Sequence, residues 1–394
     1  MYIKKAYLRS GKDESARRYH PWIFSGAIGR LEGNPDEGDL VEVYDCQKNY
    51  LGVGHYQIGS IAIRILTFKE EPIDKTFWEK RFQSAYEVRC VLGLAHSATT
   101  NTYRLIHGEG DCLPGLIVDV YGDTAVMQAH SVGMHLVRAD LAEAICTVMG
   151  DTIKNIYYKS EATLPFKADL QQENAYLCGG TSVDLALENG LKFHVDWLKG
   201  QKTGFFVDQR ENRALLEKYS AGRAVLNMFC YTGGFSFYAM RGGASLVHSV
   251  DSSSKAIDLT NLNVELNFPG DKRHEAYAED AFKFLDAMGD RYDLIILDPP
   301  AFAKHRNVLR NALQGYRKLN AKAFEKIRPG GILFTFSCSQ VVTKEDFRLA
   351  VFSAAAQSGR NVRILHQLTQ PADHPINIYH PESEYLKGLV LFVE

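Results

Sequence analysis

Four short stretches in the second half of the chain carry residue types suited to holding a nucleoside-like ligand. The first, Asn227-Met-Phe-Cys-Tyr-Thr-Gly-Gly-Phe-Ser236, follows a strand-like apolar run and leads into a helical pattern ending near Gly242-Gly243. A strand, a glycine turn and a helix N-terminus together turn backbone N–H groups toward a ligand and let it approach closely. The second is Asp251, which closes the next strand 18 residues beyond Gly233, where a carboxylate can accept both hydroxyls of a ribose. The third, Ala278-Glu-Asp-Ala281, follows a third strand and offers Asp280 to an adenine amino group. The fourth, Arg291-Tyr-Asp-Leu-Ile-Ile-Leu-Asp-Pro-Pro300, delivers Asp298 on a stiff turn at the carboxyl end of a fourth strand, the crevice in which such sheets bind ligands. G-x-G-x-x-G is absent, so the set points to S-adenosylmethionine rather than a nicotinamide dinucleotide. The plainer alternatives are a tight turn, a helix cap and a loop. Cys338, in Phe336-Ser-Cys-Ser339, is on its own most simply a small buried cysteine.

These residues need a sheet to position them, and the chain supplies one. From about residue 186 the rhythm is strand, glycine, helix, strand, the mark of βαβ units and a parallel sheet. Strands are legible at 224–229, 246–250, 294–297, 332–336 and 362–365, and Leu389-Val-Leu-Phe-Val393 is expected as a closing edge strand. Residues 1–70 alternate in the period-2 sense between glycines, as in 40–44 and 61–66, and predict a small β-barrel or sandwich. Between them, Phe77–Leu94 and Met134–Met149 have helical spacing, and 116–121 with 125–129 reads as a hairpin about Tyr121-Gly-Asp123. His107-Gly-Glu-Gly-Asp111 reads as a turn in preference to a ligand loop. The expected division is 1–72 β-rich, 73–185 an α+β connector, and 186–394 a catalytic α/β sheet.

Composition limits the rest. With 394 residues, 45% hydrophobic and 23% charged, the chain is neither disordered, fibrous nor a disulfide-stapled miniprotein. No apolar stretch approaches the ~20 residues of a membrane span, and the N-terminus lacks a signal-peptide core. Seven scattered cysteines form no metal spacing and no disulfide framework, so no metal is expected and a reducing cytoplasm is the natural setting. The net charge of −2 hides two basic clusters. Residues 1–30 carry an excess of +5 interleaved with Tyr19, His20, Trp22 and Phe24, and residues 304–328 carry +7 around Tyr316, directly after the Asp298 turn. Either is an expected phosphate-facing surface.

The run Asn227–Ser236 with Asp251, Asp280, Asp298-Pro-Pro300 and Phe336-Ser-Cys-Ser339 resembles the class I S-adenosylmethionine-dependent methyltransferases. With Trp22-Ile-Phe-Ser-Gly26 and Lys202-Thr-Gly-Phe-Phe-Val-Asp-Gln-Arg-Glu-Asn-Arg213, nearly the whole chain resembles the bacterial 23S rRNA cytosine-5 methyltransferases that carry an N-terminal PUA domain. The middle segment matches least distinctively. The resemblance implies a Rossmann-like catalytic sheet, S-adenosylmethionine as cofactor, and 23S rRNA or an assembling large subunit as partner, with no membrane and room for a homodimer. It implies that Phe206, Asp208, Gln209 and Arg213 border the cofactor, with Phe229, Tyr231, Thr232 and Gly233 around its methionine part. Asp251 and Ser252 would hold the ribose, Asp280 the adenine, and Asp298 would lie between cofactor and target base.

Carbon 5 of cytosine is a poor nucleophile until a thiolate adds to carbon 6, and Cys338 is placed for that covalent step. Asp298 would favour protonation of N3. One departure stands out: several RNA cytosine-5 methyltransferases have a second cysteine after the proline of the fourth-strand motif, and this chain has Pro299-Pro300-Ala301. Cys230 reads as structural rather than as its substitute. The competing readings are methylation of a guanine or an exocyclic amino group, which Asp-Pro-Pro-Ala-Phe302 also resembles, a nicotinamide-dependent oxidoreductase, and a non-catalytic RNA-binding protein.

Overall fold

The computed structural model describes residues 4–165, 170, 173–180, 184–303 and 305–394. The alternating N-terminal segment forms β1 (Lys4–Leu8), a short α1 (Glu14–Arg17), β2 (Trp22–Phe24), β3 (Ile28–Glu32), β4 (Leu40–Tyr44), β5 (Tyr50–Tyr56) and β6 (Ile61–Thr67). They make one six-stranded sheet in the order β2-β6-β5-β4-β1-β3, with β1 and β4 parallel. Ala6, Val41, Val43, Ile63 and Ile65 fill its core. Gly54 is required where β5 meets β6, because a Cβ there would stand 2.1 Å from the Arg64 carbonyl oxygen.

The following segment builds α2 (Lys75–Val91), β7 (Thr102–His107), β8 (Leu116–Tyr121), β9 (Thr124–Ala129), α3 (Val132–Leu136), α4 (Arg138–Met149), β10 (Asn155–Tyr158) and β11 (Ala175–Cys178). The strands form a second sheet, β11-β10-β9-β8-β7, covered by α2 and α4 through a core that includes Trp78, Phe82, Leu141 and Ile145. The single helix expected over 134–149 is two. Ser131 caps the first, Val137 breaks the run at φ −92°, ψ 12°, and Arg138 Nη1 donates to the carbonyl of His135 (2.9 Å), satisfying one acceptor the break leaves. His107–Asp111 is a structural turn. Asp111 accepts the His107 backbone N–H (2.6 Å) and pairs in bidentate fashion with fully buried Arg89 at 2.5 and 2.8 Å.

The chain divides into two compact units, one gathering Met1–Gly190, Val195–Val207 and Ala372–Ser383, the other Leu191–His194, Asp208–Pro371 and Glu384–Glu394. Within the first unit the returning segment is held by polar bonds: Arg89 Nη2 donates to the Asp373 carbonyl (2.7 Å), and the Arg104 N–H donates to Asp373 Oδ2 (3.0 Å).

The first unit also contains β12 (Leu185–Glu188); the second begins with β13 (Leu191–His194) and continues with α5 (Arg210–Tyr219), β14 (Ala224–Met228), α6 (Gly234–Arg241), β15 (Leu246–Asp251) and α7 (Ser254–Asn267). Next come β16 (His274–Ala278), α8 (Ala281–Ala287), β17 (Leu294–Leu297), α9 (Leu309–Lys326), β18 (Gly331–Ser337), α10 (Lys344–Ser358), β19 (Val362–Leu368) and β20 (Lys387–Val393). Its seven strands run β16-β15-β14-β17-β18-β20-β19, parallel except for β20. Leu294-Ile-Ile-Leu297 is buried throughout, as a strand covered on both faces must be. The expected edge position of the last strand is corrected: β20 lies between β18 and β19. The run 387–393 is almost wholly buried, whereas β19, with four of its seven residues exposed and none fully buried, takes the solvent edge.

Replacing Arg89 with alanine would strand Asp111 without its cation and remove donors from three carbonyls. Urea unfolding should show a loss of about 3–5 kcal/mol; a loss below about 1 kcal/mol would mean that the pair contributes little to the first unit.

Candidate active site

The turn after β14 departs from ordinary backbone at three places. Phe229, Tyr231 and Gly233 have φ of +59°, +47° and +84°. The two non-glycine residues cost about 1 kcal/mol or more each, and local bonds hold them there. The Cys230 N–H donates to the Val250 carbonyl (3.0 Å), the Tyr231 N–H to Asp251 Oδ2 (3.0 Å), and the Gly233 N–H to the Cys230 carbonyl (2.8 Å). At Gly233 a Cβ would lie 2.5 Å from the Phe237 ring, so no larger residue fits the cradle. Asp251 Oδ1 accepts the Ser253 N–H (2.9 Å), with Ser252 exposed between them. The hydroxyl of Thr232 is buried and has no hydrogen-bond partner. Asp280 caps α8, its Oδ1 accepting the N–H groups of Phe282 and Lys283 at 3.0 Å, and it remains exposed at the end of β16.

Asp298 follows β17 directly. Gln209 Nε2 donates to its Oδ2 (3.0 Å), and Gln209 is itself fixed by Asn212, whose amide donates to Gln209 Oε1 (2.6 Å). Desolvation pushes the Asp298 carboxyl up to about 7, the charge of Asp208 adds to the rise, and the Gln209 hydrogen bond and the Arg213 charge oppose it. Asp208 accepts the Tyr385 hydroxyl at Oδ2 (2.7 Å), while its Oδ1 is buried without a hydrogen-bond partner. Buried Arg213 lies against the helix start, where a Cβ on Gly234 would meet its Cδ at 3.1 Å. Phe206 belongs to the Val195–Val207 segment of the other unit. A strained glycine cradle, a carboxylate at the end of β15 and two unpartnered buried oxygens, Thr232 Oγ1 and Asp208 Oδ1, fit S-adenosylmethionine.

β18 ends one residue before Cys338, whose Sγ lies 4.0 Å from the carbonyl oxygen of Pro299. The thiol is half-buried. On either side, Ser337 Oγ donates to the Tyr316 hydroxyl (2.9 Å), and Ser339 Oγ bonds the same hydroxyl (3.0 Å). From β20, Lys387 Nζ donates to the carbonyls of Ser339 and Val342, both at 2.7 Å. Tyr316, Lys387 and Tyr385 were not legible as site residues in the sequence. The period of α9 carried a signal for Tyr316, since Ala312, Leu319 and Ala323 share its buried face. Cys230 is buried, which pushes its thiol well above the ordinary range and keeps it protonated.

The two basic clusters differ. In the first unit three acids outside residues 1–30 pair with this cluster, Asp39 with Lys4, Asp45 with Arg17 and Glu32 with Arg30, so much of the +5 is neutralised locally. In the second, Lys304 lies outside the described residues and Lys322 pairs with Asp286, but Arg306, Arg310, Arg317 and Lys318 are exposed. Tyr316 is fully buried and so is no part of that surface. Among the described residues one group of three, His20, His380 and Glu382, has the spacing of a metal site. His20 Nδ1 accepts the Trp22 backbone N–H (3.2 Å), which leaves the ring proton on Nε2, the atom facing Glu382 at 3.4 Å. That is a hydrogen-bonded cluster rather than a set of lone pairs. Among the described residues, no helix is long and apolar enough to cross a membrane.

Comparison with known proteins agrees with this geometry. Residues 103–379 match the S-adenosylmethionine-dependent methyltransferase family model, and residues 6–68 match a PUA-like domain. The chain is similar to ribosomal RNA large subunit methyltransferase I of Aeromonas hydrophila, with 41% identity covering 98% of both chains. It is also similar to that of Photobacterium profundum, with 40% identity covering 98% of this chain and 99% of the other. Among solved structures, a Streptococcus mutans chain described as a SAM-dependent methyltransferase superposes with a TM-score of 0.84 at 25% identity, covering 99% of this chain and all of that one. A methyltransferase solved with SAH superposes at 0.85, again at 25% identity and with 99% and 100% coverage.

Because the Asp298 carboxyl titrates near 7 in the folded chain and near 4 unfolded, the native state holds a proton there that the unfolded state has released. Stability should therefore fall as pH rises from about 4 to about 7 and level off above. Asp298→Asn removes this dependence, and its melting temperature should exceed that of the wild type by about 2 °C or more at pH 8, with the gap closing toward pH 5. A gap that does not change with pH would contradict the raised carboxyl.

Proposed function

The chain belongs to the S-adenosylmethionine-dependent methyltransferase family, in company with ribosomal RNA large subunit methyltransferase I, and on that footing we propose that it methylates carbon 5 of a cytosine in 23S rRNA through an adduct with Cys338. One observation carries the reading: the half-buried Cys338 thiol lies 4.0 Å from the carbonyl of the Asp298-Pro-Pro turn, so nucleophile and acid meet at one strand-end crevice. Bound S-adenosylmethionine supplies an electrophilic methyl group. Phe206, Asp208, Gln209, Arg213, Phe229, Tyr231, Thr232, Gly233, Asp251, Ser252, Asp280 and Asp298 are proposed to line its site.

In the proposed reaction the Cys338 thiolate forms a bond to carbon 6 while Asp298, half protonated near neutral pH, gives its proton to N3. The electron pair gathers on carbon 5, which would take the methyl group as the methyl–sulfur bond of a bound sulfonium cofactor breaks and its electron pair stays on sulfur. Asp298 now lacks its proton, and Gln209 holds the carboxylate in place. A base then removes the proton from carbon 5, the bond from sulfur to carbon 6 breaks, and the double bond reforms as N3 returns its proton. Cys230 is a poor candidate for that base because it is buried and protonated, and position 301, where several RNA cytosine-5 methyltransferases have a second cysteine, is alanine. The target base must leave its stack, at a cost of a few kcal/mol. Exposed Arg306, Arg310, Arg317 and Lys318 are proposed to contact the phosphates that hold the RNA open.

Cys338→Ala should lower methyl transfer to 23S rRNA by at least about a thousandfold. Wild-type protein should also form a denaturation-resistant adduct with 5-fluorocytosine RNA that the variant does not, because fluorine cannot leave as the proton does. Bisulfite mapping of 23S rRNA from cells with and without the gene locates the base. Full methylation by Cys338→Ala would reject the cysteine reaction and favour a guanine or amino-group target.

A further inference from the structure

Lys387 occupies an unusual position for an ammonium group. It begins β20 with its Cα opposite Ser337 in the antiparallel β18–β20 register, one residue from Cys338. The residue is only 5% exposed, and its Nζ donates to the carbonyls of Ser339 and Val342, two of its three N–H bonds. No carboxylate among the described residues lies within ion-pair distance of it, although Glu384 is near enough to act on it through space; the Glu384 carboxylate pairs instead with Lys344. A buried cation without an anion is strongly disfavoured, so the group must lose its proton or acquire a counter-charge.

We propose that Lys387 is the positioning residue for Cys338: its ammonium fixes the loop that follows the thiol through two carbonyls and stabilises the thiolate that attacks the base. The inference rests on Cys338 as the nucleophile. The thiol proton passes to water, and the thiolate left behind is stabilised by the charge of the ammonium, the two groups being near enough to act on each other through space. The groups around Cys338 agree with this. From α9, Tyr316 presents a phenol that burial pushes above its ordinary range, so it stays neutral and contributes no charge. From the β17 turn comes the Pro299 carbonyl, which repels a thiolate and makes a compensating cation necessary. Burial lowers Lys387 to about 8, and the largest opposing influence is the charge of Cys338, followed by Glu384, with Lys344 acting the other way. The influence of Cys338 and Lys387 is mutual, since a thiolate that favours the ammonium is itself favoured by it.

The test is peptide-resolved alkylation of Cys338 by iodoacetamide across pH 5–10 in the full-length protein. Wild type should titrate with a midpoint below about 7.5, under the ordinary thiol range. Lys387→Met should raise the midpoint by about one pH unit or more and slow alkylation about tenfold at pH 7, and Lys387→Arg should restore most of the shift. A wild-type midpoint at or above about 8.5 overturns the proposal, whatever the variants do. So does a Lys387→Met variant whose alkylation becomes faster at every pH with an unchanged midpoint, the mark of a merely loosened loop. Melting and S-adenosylmethionine titration check that each variant folds; if Lys387→Met does not, the wild-type midpoint decides. The readout needs no RNA, so methylation by Cys338→Ala would sink the nucleophile reading separately from the thiol titration.

Discussion

A carboxyl group able to carry a proton at neutral pH constrains the second unit. Asp298 can do so because it ends a strand buried on both faces, because two prolines stiffen the chain behind it, and because Asp208 contributes a like charge. Gln209, locked by Asn212, then prevents the half-charged group from rotating away. Burial and the Asp208 charge favour the acid form and weaken the folded state above neutrality, so the site carries a stability cost that the surrounding sheet must offset. The left-handed backbone at Phe229 and Tyr231 is a second such cost, met by bonds from the strand beside it.

What the sequence revealed follows the range of the interactions involved. Asp251, Asp298 and Cys338 were legible because each stands at the carboxyl end of an apolar run, and strand ends are local features. Asp280 was legible as an acid but equally as a helix cap, and its two backbone bonds are those of a cap. Lys387 and Tyr385 were not legible. They reach the site through the β18–β20 register and the bond to Asp208, pairings that span 50 to 177 residues of chain, and no local pattern encodes them. The same holds for Ala372–Ser383, whose bonds to Arg89 and Arg104 seat it in the first unit although it follows a catalytic strand. The interior position of β20 escaped because a strand's place in a sheet depends on what comes to cover its second edge, here β19.

Charge shows the same limit. Residues 1–30 have a basic stripe beside aromatic rings, yet Lys4 and Arg17 pair with Asp39 and Asp45, carboxylates at either end of β4. Counting along the sequence cannot see those partners. On α9 and the turn that precedes it the acids are scarce, and four exposed cations, Arg306 in the turn and Arg310, Arg317 and Lys318 on the helix, have no ion pair among the described residues. That helix also has an inner face. Tyr316, one residue before Arg317, is buried and hydrogen-bonds both serines that flank Cys338. One rigid element thus joins a cationic outer surface to the loop carrying the thiol. A polyanion gripping Arg317 and Lys318 would bear on the same turn of helix that fixes Ser337 and Ser339, so in the proposed reaction docking of the RNA and alignment of the Cys338 thiol are coupled through one helix.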